Sequence, residues 1–373
     1  MNSMKNIVYV IYGLLLILTS CTKDEDDTRR VGIHSMEDLI AFCDAVNSGQ
    51  DLSQWQDETY RSVTLYTDID LGDWEWEPID ELTGIFDGNN HVIRLKKSQT
   101  EPHEVWGFVR KNSGIIKNLR IEANFQMDTF KASDGIGNTV QHVGSICYTN
   151  GGLITNTSVK IYGDNLLNGV AFGGIASVNT NVGTIESCYI EGKLSGANLI
   201  VGGICYSNDG IVKDCRNAMT IDATESRSFD CIGGLVACNR ANGQVLNCIN
   251  EADILAQDTY ISFYGIGGIV ARMFGGTVNG CSNKGRIVGN ELGHAFGGIV
   301  GNASEVYSSD KVQQKRMIIQ CLNSGSVTGR EGVTGGIVGC IAGEESSIGG
   351  CQNEGTVNGE GGSLDNAIGT DMR

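Results

Sequence analysis

Proline is nearly absent: Pro78 and Pro102 are the only two in 373 residues. That excludes collagen-like and polyproline rods, and with 40% hydrophobic and 19% charged residues the chain does not read as disordered. Basic residues are also scarce, 27 Lys plus Arg against 44 Asp plus Glu, for a formal charge of −17. Such a surface repels phosphate backbones at long range, which argues against a nucleic-acid partner. No apolar run is long enough to span a bilayer; the longest, Ile7 to Leu18, has the length of a signal-peptide core. Histidine is rare and scattered, at His34, His91, His103, His142 and His294, and none sits in a His-Glu-x-x-His zinc motif; His103-Glu104 lacks the second His. Phosphate loops are excluded too, because no Lys follows the glycine-rich segments at P-loop spacing.

Glycine is what the chain has in abundance, 52 residues without a collagen period. Glycine without proline points to many tight turns between short strands, and here the glycines repeat. A Gly-Gly-Ile/Leu unit recurs at Gly173, Gly202, Gly233, Gly267, Gly297 and Gly335, with degenerate copies at Gly107 and Gly144. After each copy comes a residue expected to look inward: Leu119, Thr157, Cys188, Cys215, Cys248, Cys281, Cys321, Cys351. Asn or Gly usually follows within a few residues. Each unit of roughly 30 residues is too small to bury an apolar face alone, but stacking at about 4.8 Å would build continuous ladders. The expected fold is therefore all-β: a right-handed parallel β-helix of about eight rungs with a small α+β cap at its N-terminal end. Ser304 to Arg316 lengthens the seventh unit and reads as an excursion loop.

The expected organisation is a signal peptide over 1–20, an acidic tether over 21–32, a cap over 33–105, the β-helix over 106–360 and a C-terminal tail over 361–373. In the cap, Ser35-Met36-Glu37-Asp38 is a capping box, and Leu39, Phe42, Cys43 and Val46 predict one short amphipathic helix ending at Gly49. Thirteen cysteines would ordinarily suggest disulfides, but six occupy one repeat position. Parallel Cβ vectors in register do not supply the near-90° dihedral a disulfide wants, so buried thiols are expected. Without a Cys-x-x-Cys pair, a zinc site is not expected either.

Leu18-Thr19-Ser20-Cys21 resembles the lipobox of bacterial lipoproteins, and Thr22 to Asp27 is similar to the acidic export signal of Bacteroidota surface lipoproteins. The order Thr67 to Leu71, Trp76 to Ile79 and Phe86 to Asn89, followed by Gly-Gly-Ile-Val-Gly at Gly297 to Gly301, resembles surface proteins that carry GLUG repeats. These resemblances imply acylation of Cys21, an outer-membrane, cell-surface location held by lipid, and an adhesin-like role toward a host glycoprotein or polysaccharide.

Parallel β-helices also host polysaccharide lyases and hydrolases, which gather carboxylates beside an Arg or Lys, sometimes with calcium. The densest carboxylate group is Asp68, Asp70, Asp73, Glu75 and Glu77, with Asp87 nearby, in segments expected to face water. Nothing in the sequence supports calcium or another cofactor, and no catalytic residue is assigned. Trp74 and Trp76 would share a strand face, with Tyr66 a neighbour, as a candidate glycan contact set against simple cap packing. The expected function is a non-enzymatic adhesin or ligand-binding scaffold. The alternative is a polysaccharide-degrading enzyme or a glycan-capturing accessory protein.

Overall fold

The computed structural model describes residues 30–57, 59–98, 105–128, 141–163, 165–197, 199–225, 231–256, 265–290, 295–304, 314–343, 345–363 and 366–373. Cys21, the signal segment, nearly all of the acidic tether, His103, His294 and most of the Ser304 to Arg316 excursion lie outside them.

Four sheets of 11, 14, 8 and 10 strands run the length of the molecule, and each turn of the chain contributes to all four. One turn shows the pattern: Gln141–Gly144 in the eight-stranded sheet, Cys147–Asn150 in the ten-stranded, Leu153–Thr155 in the eleven-stranded and Ser158–Ile161 in the fourteen-stranded. Apart from the antiparallel pair Gln56–Asp57 with Ser62–Thr64, the strand pairs are parallel and in register from turn to turn. The molecule is a β-solenoid of about eight turns.

Each Gly-Gly unit forms the corner between the eight- and ten-stranded sheets. A Cβ on Gly298 would lie 2.0 Å from Gly336 O and 2.4 Å from Asn323 Cγ, so only glycine lets neighbouring turns stack there. The Ile or Leu after it points inward: Ile146, Ile175, Ile204, Leu235, Ile269, Ile299 and Ile337 are all buried. Burying one such side chain contributes about 1.5–3 kcal/mol before entropy is set against it.

The second landmark is the corner between the eleven- and fourteen-stranded sheets. Asn118, Asn156, Ser187, Asp214, Asn247, Gly280, Gln320 and Gly350 all have φ between 49° and 66° there. A single left-handed residue turns the chain, and the next one, Leu119 through Cys351, faces the core. The six-cysteine column forms as free thiols, each Sγ donating to the carbonyl two residues earlier, as from Cys248 to Leu246 O at 3.2 Å.

Two asparagine ladders run through the same interior. The first links Asn112, Asn150, Asn179, Asn208 and Asn239 at the corner between the ten- and eleven-stranded sheets, Nδ2 to Oδ1 at 2.8–2.9 Å. The second links Asn217, Asn250, Asn283, Asn323 and Asn353 at 2.8 Å per step and ends on Asn366 at 3.1 Å. A buried carboxamide is costly unless both its halves are paired, and a stack of them pairs each with the next.

The N-terminal helix α1, Met36–Ser48, forms as expected: Ser35 Oγ accepts from Asp38 N, Gly49 ends it at φ 67°, and Leu39, Phe42, Cys43 and Ala45 are buried. Other boundaries fall elsewhere than the sequence places them. Parallel stacking already runs through 62–98, where Ser62–Thr64 pairs with Ile85–Asp87 and Val92–Ser98 pairs with Arg120–Asp128, so no break separates a cap from a β-helix at 105/106. The expected C-terminal tail supplies the strand Ile368–Met372, paired with Val338–Ala342 at the far end of the ten-stranded sheet. Arg316, read as the last residue of the excursion that interrupts the repeat, opens the strand Arg316–Ile319 instead and is only 2% exposed. Its Nε donates to Met273 O at 3.0 Å and Nη1 to Ser346 Oγ at 3.3 Å, which offsets the cost of burying the cation.

Candidate functional site

The carboxylates singled out in the sequence each have a basic side chain of the following turn as partner. Asp68 meets His91 at 2.9 Å, Asp70 meets Arg94 at 2.9 Å, Asp73 meets Lys96 at 2.9 Å and Glu75 meets Lys97 at 3.3 Å; Glu77 pairs with Arg110 and Asp87 with Lys117. For Asp70 and Asp87 the pairing follows from stacking, because Arg94 and Lys117 are their in-register neighbours one turn on. The Val92 N–H and the His91 ring hold Asp68 below the ordinary carboxylate range, and the Gly72 N–H and Arg94 do the same for Asp70. A general acid needs the opposite shift.

The aromatic trio does not come together. Residues 71–78 form no strand, so alternation does not apply. Trp76 turns inward, 3% exposed, with Nε1 donating to Phe108 O at 3.0 Å and its ring stacked on Phe108 at 5.2 Å. Tyr66 stacks on His34 at 4.8 Å. Trp74 alone stands out, 51% exposed. Trp76 is a cap-packing residue, and no Trp74–Trp76 platform forms.

What stacking does assemble is a charged stripe on the outer face of the fourteen-stranded sheet. Asp70, Arg94, Glu122, Lys160 and Glu191 are successive in-register residues, alternating in sign. Arg94 bridges Asp70 and Glu122, at 2.9 and 2.6 Å. Beside it runs Arg120, Ser158, Tyr189 and Arg216. Tyr189 Oη donates to Glu191 Oε2 at 2.9 Å, and Arg216 lies over the Tyr189 ring at 5.4 Å. The two columns enclose a shallow cleft of about 340 Å³ lined by Arg120, Glu122, Ser158, Lys160, Tyr189 and Glu191. An aromatic edge among fixed charges of both signs suits a polar, hydroxyl-bearing ligand. Further along, Glu251 is paired with Arg216 and Lys284, and Asp253 with Arg286 at 2.7 Å.

Sequence reading missed this stripe because its members lie about 30 residues apart and become neighbours only once the register is known. Among the described residues no group of three or more His, Cys, Asp or Glu is arranged to hold a metal ion.

No protein-family model matches the chain, and no curated protein does. Several solved structures match the chain. One, named IgA1 Protease, superimposes with a TM-score of 0.53 at 14% identity, over 88% of this chain and 22% of that one. Another, named as a candidate immunoglobulin A1 protease from Bacteroides ovatus, has a TM-score of 0.40 at 18% identity, over 91% of this chain and 83% of that one. This chain spans about a fifth of the length of the first, and that likeness establishes a shared β-solenoid.

Proposed function

We propose that this protein is a lipid-anchored surface protein of the GLUG-repeat kind, held in a bacterial outer membrane through acylated Cys21 and acting as an adhesin or ligand-binding scaffold. The observation that carries the reading is the charged stripe with its Tyr189 cleft. It lies on a rigid face whose geometry is set by backbone register and does not depend on loops. A host glycoprotein or a polysaccharide chain laid along the stripe would meet charges and hydroxyls repeating at about 4.8 Å. Several acyl chains on Cys21, at about 0.8 kcal/mol per buried methylene, would make the anchor stable.

A second reading is favoured by one feature of the same cleft. Glu122 and Glu191 flank Lys160 in one column, which is the kind of grouping that a polysaccharide-degrading enzyme or a glycan-capturing accessory protein would use.

Residues 22–373, purified, are to be incubated with mucin, immunoglobulin A1 and plant and bacterial polysaccharides, with and without calcium, and both binding and release of reducing or unsaturated ends scored. Binding that is lost in Tyr189→Ala, without sugar release, supports the scaffold. Sugar release abolished by Glu122→Gln or Glu191→Gln establishes the enzyme instead. Alkynyl fatty acid fed to expressing cells should label the wild type and not Cys21→Ser; an unlabelled wild type removes the anchor.

A further inference from the structure

Ten of the twelve described cysteines lie in the main core or stand singly, but Cys231 and Cys238 form a pair of a different kind. Cys231 opens the strand Cys231–Gly233, and Cys238 lies in Val236–Asn239, on the other side of the Gly233–Gly234 corner. Ile232, Leu235 and Val236 point into the main core, whereas Cys231, Ala237 and Cys238 form a separate small cluster with Ala271. Ile200, Tyr206 and Phe274 pack against it. The two thiols share this cluster, and Cys231 Sγ donates to the carbonyl of Ala237, the residue before Cys238, at 3.7 Å.

This arrangement differs from that of the six-cysteine column. There, neighbouring thiols project in parallel from equivalent positions of successive turns, a geometry that resists the dihedral of a disulfide. Cys231 and Cys238 instead project from strands of two different sheets that meet at a corner, and both enter the same small cluster. Their surroundings are also electropositive, in a protein whose formal charge is −17. Arg272 is the in-register neighbour of Cys238, and Arg240 lies two residues beyond it. Both guanidinium groups lie over the Phe274 ring, at 4.3 and 4.8 Å, which fixes them beside the cluster.

We propose that Cys231 and Cys238 are a dithiol–disulfide site, oxidised by a small disulfide-bearing oxidant, with Cys238 as the attacking thiol and Cys231 as the resolving one. Cys238 is the more accessible, 7% exposed against 1% for Cys231. The hydrogen bond from Cys231 and then the two arginines pull the Cys238 thiol below its ordinary value, while that same bond and burial push Cys231 up. The Cys238 thiolate attacks one sulfur of the oxidant, forms a mixed disulfide and expels one thiolate, which takes up the proton. Cys231 loses its proton, attacks the Cys238 sulfur and expels the second thiolate. Two protein thiols give up two electrons and two protons, and the oxidant leaves as two thiols. The product staples the eight-stranded sheet to the ten-stranded sheet at a single turn.

The test is to incubate the full chain with oxidised glutathione, block remaining thiols and measure intact and peptide masses. The expected result is loss of two hydrogens, with a single peptide cross-link between Cys231 and Cys238 and the six column thiols unmodified. Cys231→Ser should trap one glutathione on Cys238, and Cys238→Ser should abolish both products. Arg272→Met should slow the first step several-fold without changing the cross-link. An unchanged wild-type mass, or a cross-link that joins column cysteines instead, overturns the assignment; both are read on the wild type, so neither depends on the variants folding.

Discussion

Asn283 is the middle member of the second asparagine ladder, and replacing it with alanine tests whether that ladder holds the turns together. Its Oδ1 accepts from Asn250 Nδ2 at 2.8 Å; its Nδ2 donates to Asn323 Oδ1 at 2.8 Å and to Gly285 O at 3.0 Å. Asn283→Ala removes all three. Asn250 keeps its bond to Ala252 O at 2.9 Å, but Asn323 Oδ1 loses its donor in the ladder, and Gly285 O loses its side-chain donor. Asn323 is fully buried, so water does not reach it without opening the stack. At about 1–3 kcal/mol for each group stranded in this way, the expected loss is about 3–5 kcal/mol. Asn353→Ala, at the half-buried end of the ladder, should cost about 1–2 kcal/mol. The double variant Asn250→Ala with Asn283→Ala should cost less than the sum of its singles, because the stranded partner leaves too. Urea unfolding followed by far-UV circular dichroism measures the loss. Because stacked turns can unfold piecemeal, amide hydrogen exchange at Asn250, Asn283 and Asn323 locates it. A cost below about 1 kcal/mol at Asn283, or one equal to that at Asn353, would refute the ladder as a source of stability.

Three further outcomes are expected. Gly298→Ala drives a Cβ onto Gly336 O and should cost about 3 kcal/mol or more in thermal or urea unfolding, whereas at Gly349, where the nearest atom would be Ile319 Cγ2 at 3.5 Å, alanine should be close to neutral. Cys248→Ser keeps a donor for Leu246 O but puts a hydroxyl among thiols and apolar side chains; about 1 kcal/mol is expected, and no measurable change would show that this column position does not distinguish sulfur from oxygen. Asp68, Asp70 and Asp253 have folded pKa values below their unfolded ones, so their stabilisation is present above about pH 4 and is lost as pH falls through the folded values. The melting temperature should therefore drop on acidification from pH 5 to pH 2, by less in about 1 M salt, and a rise would contradict these pairings.

The solenoid was legible because its main determinants are local and recur. Gly-Gly-Ile marks one corner in every turn, and the left-handed residue before each inward Leu, Thr or Cys marks another. Even the second asparagine ladder left a trace in the sequence as Cys-x-Asn at Cys215, Cys248, Cys281, Cys321 and Cys351. The first ladder left a trace as well, since Asn112, Asn150, Asn179, Asn208 and Asn239 each lie four residues after the inward residue of the glycine landmark, Phe108, Ile146, Ile175, Ile204 and Leu235. Helix α1 was readable from its capping box and the spacing of Leu39, Phe42, Cys43 and Val46.

What chain order could not decide was which distant residues share a face. Asp70, Arg94, Glu122, Lys160 and Glu191 become one alternating stripe because parallel pairing in register sets each beside a residue a full turn away. The same register set Arg94 beside Asp70, and the turn that carries it brought His91 and Lys96 to Asp68 and Asp73, which in sequence looked like part of a row of carboxylates facing water. Trp76 went to the core because the segment holding it is not a strand, and Arg316 entered the stack because the carbonyl of Met273 and the hydroxyl of Ser346 await it there. The repeat by itself determined the kind of fold, since a turn this small must stack to bury its apolar face. Tertiary structure decided the charged cleft and the Cys231–Cys238 corner, because both depend on the offset between turns, which the spacing of landmarks along the chain does not set.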